Sequence, residues 1–172
     1  MNRTALRLVA LLAPVALASW AGAEATATIS KTHLCCNNCL QGVAKAVKPV
    51  TGATAKCDRT AQTITITAAD EATVQKAVDA ISAAGYFGKC EGAKMTDDSG
   101  AKAGEVPSAE ISGLHNCCNK CTTTINDTIK AAGAKGTAKS KQTTFTVTGP
   151  FDPVKLVQAF NDAGFSVKVA PK

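Results

Sequence analysis

His33-Leu34-Cys35-Cys36-Asn37-Asn38-Cys39 reappears 82 residues later as His115-Asn116-Cys117-Cys118-Asn119-Lys120-Cys121. Features downstream of the two heptads also repeat. Thr63-Ile64-Thr65-Ile66-Thr67 matches Thr144-Phe145-Thr146-Val147-Thr148, and Ala84-Gly85-Tyr86 matches Ala163-Gly164-Phe165. The chain therefore reads as two copies of one module, residues 24–91 and 107–172, joined by residues 92–106, which are rich in Gly, Ala, Lys, Asp and Ser and show no apolar period. As a flexible linker of about 15 residues, that stretch spans on the order of 20 Å, short enough to let the two cysteine clusters meet.

Periodicity gives the order of elements in each copy. Ala25 to Thr32 alternates small polar and apolar residues, as a strand with one buried face does. After the cluster, Leu40, Val43, Ala44 and Val47 fall on one helical stripe that ends near Pro49 and Gly52. Thr54–Cys57 and Gln62–Thr67 read as a hairpin turning at residues 58–61, Val74, Ala77, Val78 and Ile81 as a second helix, and residues 87–90 as a last strand. The second copy repeats this with a helix bearing Ile125, Ile129 and Ala132, and a hairpin near Ser140 and Lys141. Its second helix opens at Asp152-Pro153 with Val154, Val157 and Phe160, and its last strand runs from Phe165 to Val169. The order predicted is βαββαβ, twice, which is an α+β fold.

Composition narrows the function. The chain has 172 residues, 45% hydrophobic and 4% aromatic, with eight cysteines and a formal charge of +6. So few aromatics and such scattered lysines argue against a stacking surface or basic groove for nucleic acid. Residues 1–23 read as a cleavable signal peptide: Arg3 and Arg7, the apolar run Leu8 to Trp20, then Ala21-Gly22-Ala23. No later stretch is apolar enough to span a membrane, so the expected location is periplasmic or secreted. There is no nucleotide loop, no Ser/His/Asp set and no acid pair placed for hydrolysis, so an enzyme is not expected.

A βαββαβ module with Cys-x-x-Cys where its first strand meets its first helix resembles the heavy-metal-associated domain, the family of small copper chaperones, exported mercury-binding proteins and the soluble arms of metal-transporting ATPases. The resemblance covers nearly all of residues 24–172 and implies a ferredoxin-like sandwich with Cys36 and Cys39, and Cys118 and Cys121, holding a soft ion in an exposed loop. It also implies a metal-transfer partner protein, and it places Cys57 and Cys90 on opposite sheet edges, too far apart to bridge. The chain departs from the family at the Met two residues before the pair. Leu34 and Asn116 stand there, or Leu114 if the second copy carries a one-residue insertion.

The site chemistry follows from the donors. Thiolates select soft ions such as Cu(I), Zn(II) or Hg(II), and a helix N-terminus favours the thiolate form; Asn37 and Asn119 are expected to cap those turns. Two sulfurs suit a linear site, a third from Cys35 or Cys117 a trigonal one, and His33 or His115 would complete four ligands of the zinc kind. The candidate ligands are thus His33, Cys35, Cys36, Cys39, His115, Cys117, Cys118 and Cys121. Adjacent side chains diverge, which sets Cys35 against Cys36 as ligands of one ion. A thiol–disulfide redox protein using the Cys-x-x-Cys pairs is the alternative.

Overall fold

The structure, a computed structural model, describes residues 24–172; the signal-peptide reading of residues 1–23 lies outside the described residues. The first half runs β1 (Ala25–Ser30), α1 (Asn37–Val47), β2 (Ala53–Asp58), β3 (Thr63–Ala68), α2 (Glu71–Ala83) and β4 (Lys89–Glu91). The second runs β5 (Val106–Ser112), α3 (Asn119–Ala131), β6 (Phe145–Phe151), α4 (Pro153–Asp162) and β7 (Lys168–Pro171). The described residues are α+β, with two small antiparallel sheets and four helices.

The first sheet has the order β2-β3-β1-β4 and the second β6-β5-β7, so the strand that leads into each cysteine cluster is flanked on both sides. Alternation along β1 sends Ala27 and Ile29 into the core, opposite Ile66 and Ile64 of β3. In α1 the buried line is Cys39, Val43 and Val47, spaced by four. Leu40 is only half-buried and Ala44 is exposed, which rotates the stripe from the expected one and makes Cys39 a core residue. Cys121, Ile125 and Ile129 form the same line in α3. In α4 the buried stripe is Pro153, Leu156, Val157 and Phe160, an i, i+3, i+4, i+7 set, and Val154 is left 45% exposed rather than facing the core.

The second half departs from the predicted hairpin. Where the first half pairs β2 with β3 over six residues, the stretch before β6 keeps one isolated bridge, Lys135 to Thr148. Side chains explain the loss. Asn126 of α3 accepts from the Ala138 N–H at 2.8 Å and donates to its carbonyl at 3.2 Å, and Asn116 donates to the Lys139 and Gln142 carbonyls at 2.8 and 2.9 Å. Backbone groups satisfied this way no longer need a ladder. Ala44 and Leu34 occupy the matching places of the first half and offer no such bonds.

The halves dock through a reciprocal contact. The Gly85 carbonyl accepts from Ser166 N–H at 3.1 Å, and the Gly164 carbonyl accepts from His33 N–H at 3.4 Å and Phe87 N–H at 3.2 Å. Tyr86 and Phe165 face each other across a single antiparallel bridge. Both glycines lie at positive φ, 90° and 87°. A Cβ on Gly85 would strike His115 N, and one on Gly164 would strike His33 N, each with other backbone of the same loop. The connecting stretch carries neither helix nor strand up to residue 105, β5 taking its last residue, Val106, and it is tied down rather than loose. Gln75 bonds both backbone groups of Lys94, Ser99 is buried and accepts from Val169 N–H at 2.8 Å, and Lys168 pairs with Asp98 at 3.4 Å. No helix among the described residues is long and apolar enough to cross a membrane.

Candidate metal centre

Each cluster sits where a strand gives way to a helix. Cys36 and Cys118 are the N-cap residues, with almost the same extended backbone, φ −156° and ψ 172° against φ −157° and ψ 171°. Asn37 and Asn119 are therefore the first helical residues and not the caps. Their neighbours Cys39 and Cys121, two residues further along, are fixed by the core stripes and fully buried. The sulfurs thus have little freedom: two are anchored in the core and two in the cap position.

Reciprocal docking brings both clusters to one place. Across the halves, Cys35 Sγ lies 3.3 Å from Cys118 Sγ and 3.4 Å from Cys121 Sγ, while Cys117 Sγ lies 3.6 Å from Cys36 Sγ and 3.4 Å from Cys39 Sγ. Within each half, the Cys-x-x-Cys sulfurs are 3.9 Å apart. All eight cysteines are free thiols. Cys57 and Cys90 stand on β2 and β4, the two outer strands of the first sheet, and neither belongs to a group of three donors close enough to share an ion.

Both histidines line the cluster. His115 is buried, and its Nδ1 donates to the Gly85 carbonyl at 2.7 Å. The carbonyl can only accept, so Nδ1 carries the hydrogen and Nε2 presents a lone pair. That Nε2 is buried without a hydrogen-bond partner, and the ring has a nitrogen within 4.8 Å of the Cys39 and Cys121 sulfurs. Metal-ligating imidazoles are held in this way, one nitrogen on a carbonyl and the other on the ion. The His115 ring stacks on Tyr86 at 4.0 Å and the His33 ring on Phe165 at 4.6 Å, so these aromatics shape the wall of the site. Tyr86 also donates from its hydroxyl to the Cys39 carbonyl at 2.9 Å. His33 Nε2 is likewise buried and unpartnered, grouped with Cys35 and Cys121.

The electrostatics favour a cation. Two thiolates 3.4 Å apart repel by about 5 kcal/mol at an effective dielectric constant near 20, so six cannot ionise together without positive charge among them. The shifts follow that rule. Hydrogen bonding from Cys121 draws Cys39 down to about 2, while burial pushes Cys35 up to about 12 and Cys117 higher still. Cys121, donating to Cys39, is driven upward. At Cys118 burial pushes up, but the N–H groups of Cys121 and Lys120 and the Cys35 thiol outweigh it, leaving about 7. Neighbouring thiols thus stabilise a thiolate at Cys39, and incoming ions displace the protons that remain on the cluster.

Sulfur and imidazole are the donors that soft ions take, and the buried lone pair of His115 fits a ligand that is not hydrogen. The group as a whole can hold a metal ion. Access from solvent is by an open depression of about 430 Å³ lined by His33, Cys35, Asn119, Lys120, Thr123 and Thr124. All eight expected ligand candidates meet at this one place. Sequence reasoning missed Gln62, which accepts from Leu34 N–H at 3.1 Å and donates to its carbonyl at 3.0 Å, fixing the first cluster loop, and also Gly85 and Gly164, whose repeat reads from sequence only as a helix end. Compared with protein-family models, with curated proteins and with solved structures, the chain matches none of them.

Proposed function

We propose that this protein binds soft metal ions, of the Cu(I), Zn(II) or Hg(II) class, to sequester or transfer them, and that each half is a heavy-metal-associated, ferredoxin-like module. The observation that supports it best is the buried, partnerless Nε2 of His115, on a ring close to the sulfurs of Cys39 and Cys121, one from each half. A thiol–disulfide exchange protein, the competing reading, would use that lone pair as a base for a neighbouring thiol, so metal retention is what separates the two. Export through residues 1–23 and hand-over to a partner protein belong to the same proposal. An oxidising compartment would then make bound metal the protection for six clustered thiols.

The test is retention of Cu(I), Zn(II) or Hg(II), offered separately to the reduced chain and challenged with a chelator of known affinity. At least one should be held stoichiometrically, while Ca(II) and Mg(II) are not, and His115→Gln should weaken retention by roughly tenfold or more. Loss of every ion to the chelator would sink the proposal, and robust disulfide-exchange turnover without metal would favour the redox reading.

A further inference from the structure

Building on the metal-binding reading, the thiol–thiol hydrogen-bond contacts among the six sulfurs divide them in one way that uses each sulfur once and follows the twofold relation between the halves. The rival division is each half's own three, as in Cys117, Cys118 and Cys121, which lie within 4.8 Å of one another. Cys36, Cys39 and Cys117 form a triangle with edges of 3.9, 3.6 and 3.4 Å. Cys118, Cys121 and Cys35 form its counterpart, with edges of 3.9, 3.3 and 3.4 Å. An ion at the centre of three sulfurs with bonds of about 2.3 Å sets them roughly 4.0 Å apart. To accept one, the longest edge of each triangle lengthens by about 0.1 Å and the shortest by about 0.6–0.7 Å.

Each extra cysteine turns away from its own pair because neighbouring side chains on extended backbone point in opposite directions. Cys35 approaches its own pair by one longer contact, 3.7 Å to Cys39, and Cys117 does the same, 3.7 Å to Cys121. Both make their two closest contacts to the pair on the other half.

We propose that the centre is binuclear and cross-braced: one ion is held by Cys36, Cys39 and Cys117, and a second by Cys118, Cys121 and Cys35. Neither half completes a site alone, so bound metal clamps the two halves together. His115, whose ring has a nitrogen close to Cys39 of one triangle and Cys121 of the other, stands where the two sites meet.

Anaerobic native mass spectrometry with Cu(I) as the probe, followed by iodoacetamide labelling mapped on peptides, tests this on the full chain. The unaltered chain should hold two ions. C118S/C121S should keep one and protect Cys36, Cys39 and Cys117, leaving Cys35 to be labelled; C36S/C39S should keep one and protect Cys118, Cys121 and Cys35, leaving Cys117 labelled. Protection of Cys35 with Cys36 and Cys39, or a count other than two in the unaltered chain, overturns the cross-braced assignment while leaving metal binding intact. No Cu(I), Zn(II) or Hg(II) retained by the unaltered chain removes the underlying reading instead. Because Cys39 and Cys121 are core residues, C117S at a half-buried position gives the same answer without that risk. Loaded with one equivalent, it should protect Cys118, Cys121 and Cys35, and protection of Cys36, Cys39 and Cys35 would overturn the assignment.

Discussion

In the first half the loop that carries Cys35 is braced from outside, by the Gln62 side chain bonding both backbone groups of Leu34. In the second half the loop reaches out instead: Asn116 is buried within it, donates to the Lys139 and Gln142 carbonyls and accepts from Thr122. The same junction is thus held with the roles of side chain and backbone exchanged. The first half spends a full hairpin on it, with Gln62 at a positive φ of 56°, and the second does without the edge strand. What the halves keep in common is the path from central strand through cysteine loop to helix and the glycine turn that docks on the other half. The geometry of the sulfurs depends on those shared parts, and the outer strand is free to vary.

The comparison breaks most sharply at the shared glycines. Gly85→Val and Gly164→Val each add strain at positive φ and a clash with the opposite cysteine loop, and each is expected to remove about 3 kcal/mol or more. Thermal unfolding should show equal losses for the two, with metal retention falling alongside; a loss confined to one would mean that the docking is not reciprocal.

The braces come next. Asn116→Ala removes three hydrogen bonds of a buried amide, to the Lys139 and Gln142 carbonyls and from the Thr122 hydroxyl, and should lower stability by about 2–3 kcal/mol, whereas Gln62→Ala, at a half-buried site, should lower it by about 1–2 kcal/mol. Denaturant titration of both variants measures the difference, and an unaltered Asn116→Ala midpoint would show that the second loop is held by something else.

The last effect is a pH dependence carried by His33. Burial, with the nearby His115 ring, lowers His33 from 6.5 to about 4. The unfolded chain therefore binds a proton at His33 that the folded chain refuses between those values, so the metal-free protein should lose stability as pH falls from about 6.5 to about 4. His33→Gln should flatten that part of the stability profile; an unchanged slope would place the titration elsewhere.

The strand and helix order of the first half was legible because its apolar residues keep strict periods of two and three to four. The site was legible as residue types, since a doubled His-x-Cys-Cys-x-x-Cys has few other uses. The lost strand before β6 was not, because it depends on Asn126 and Asn116 reaching backbone groups distant in sequence. The rotation of the α1 stripe onto Cys39 was hidden too, because free cysteine packs as readily as a small apolar residue. Val154 misled for a plainer reason: Val157 and Phe160 fit a stripe that starts at either residue 153 or 154.

Taken by itself, the sequence determined the repeat, the α+β class, the element order of the first half and the donor atoms, because these rest on local spacing and on the softness of sulfur. Only the tertiary structure decided that the clusters are one centre. That outcome depends on two glycines accepting close backbone contact from the opposite half, and on side chains that diverge along the chain meeting their partners across the interface.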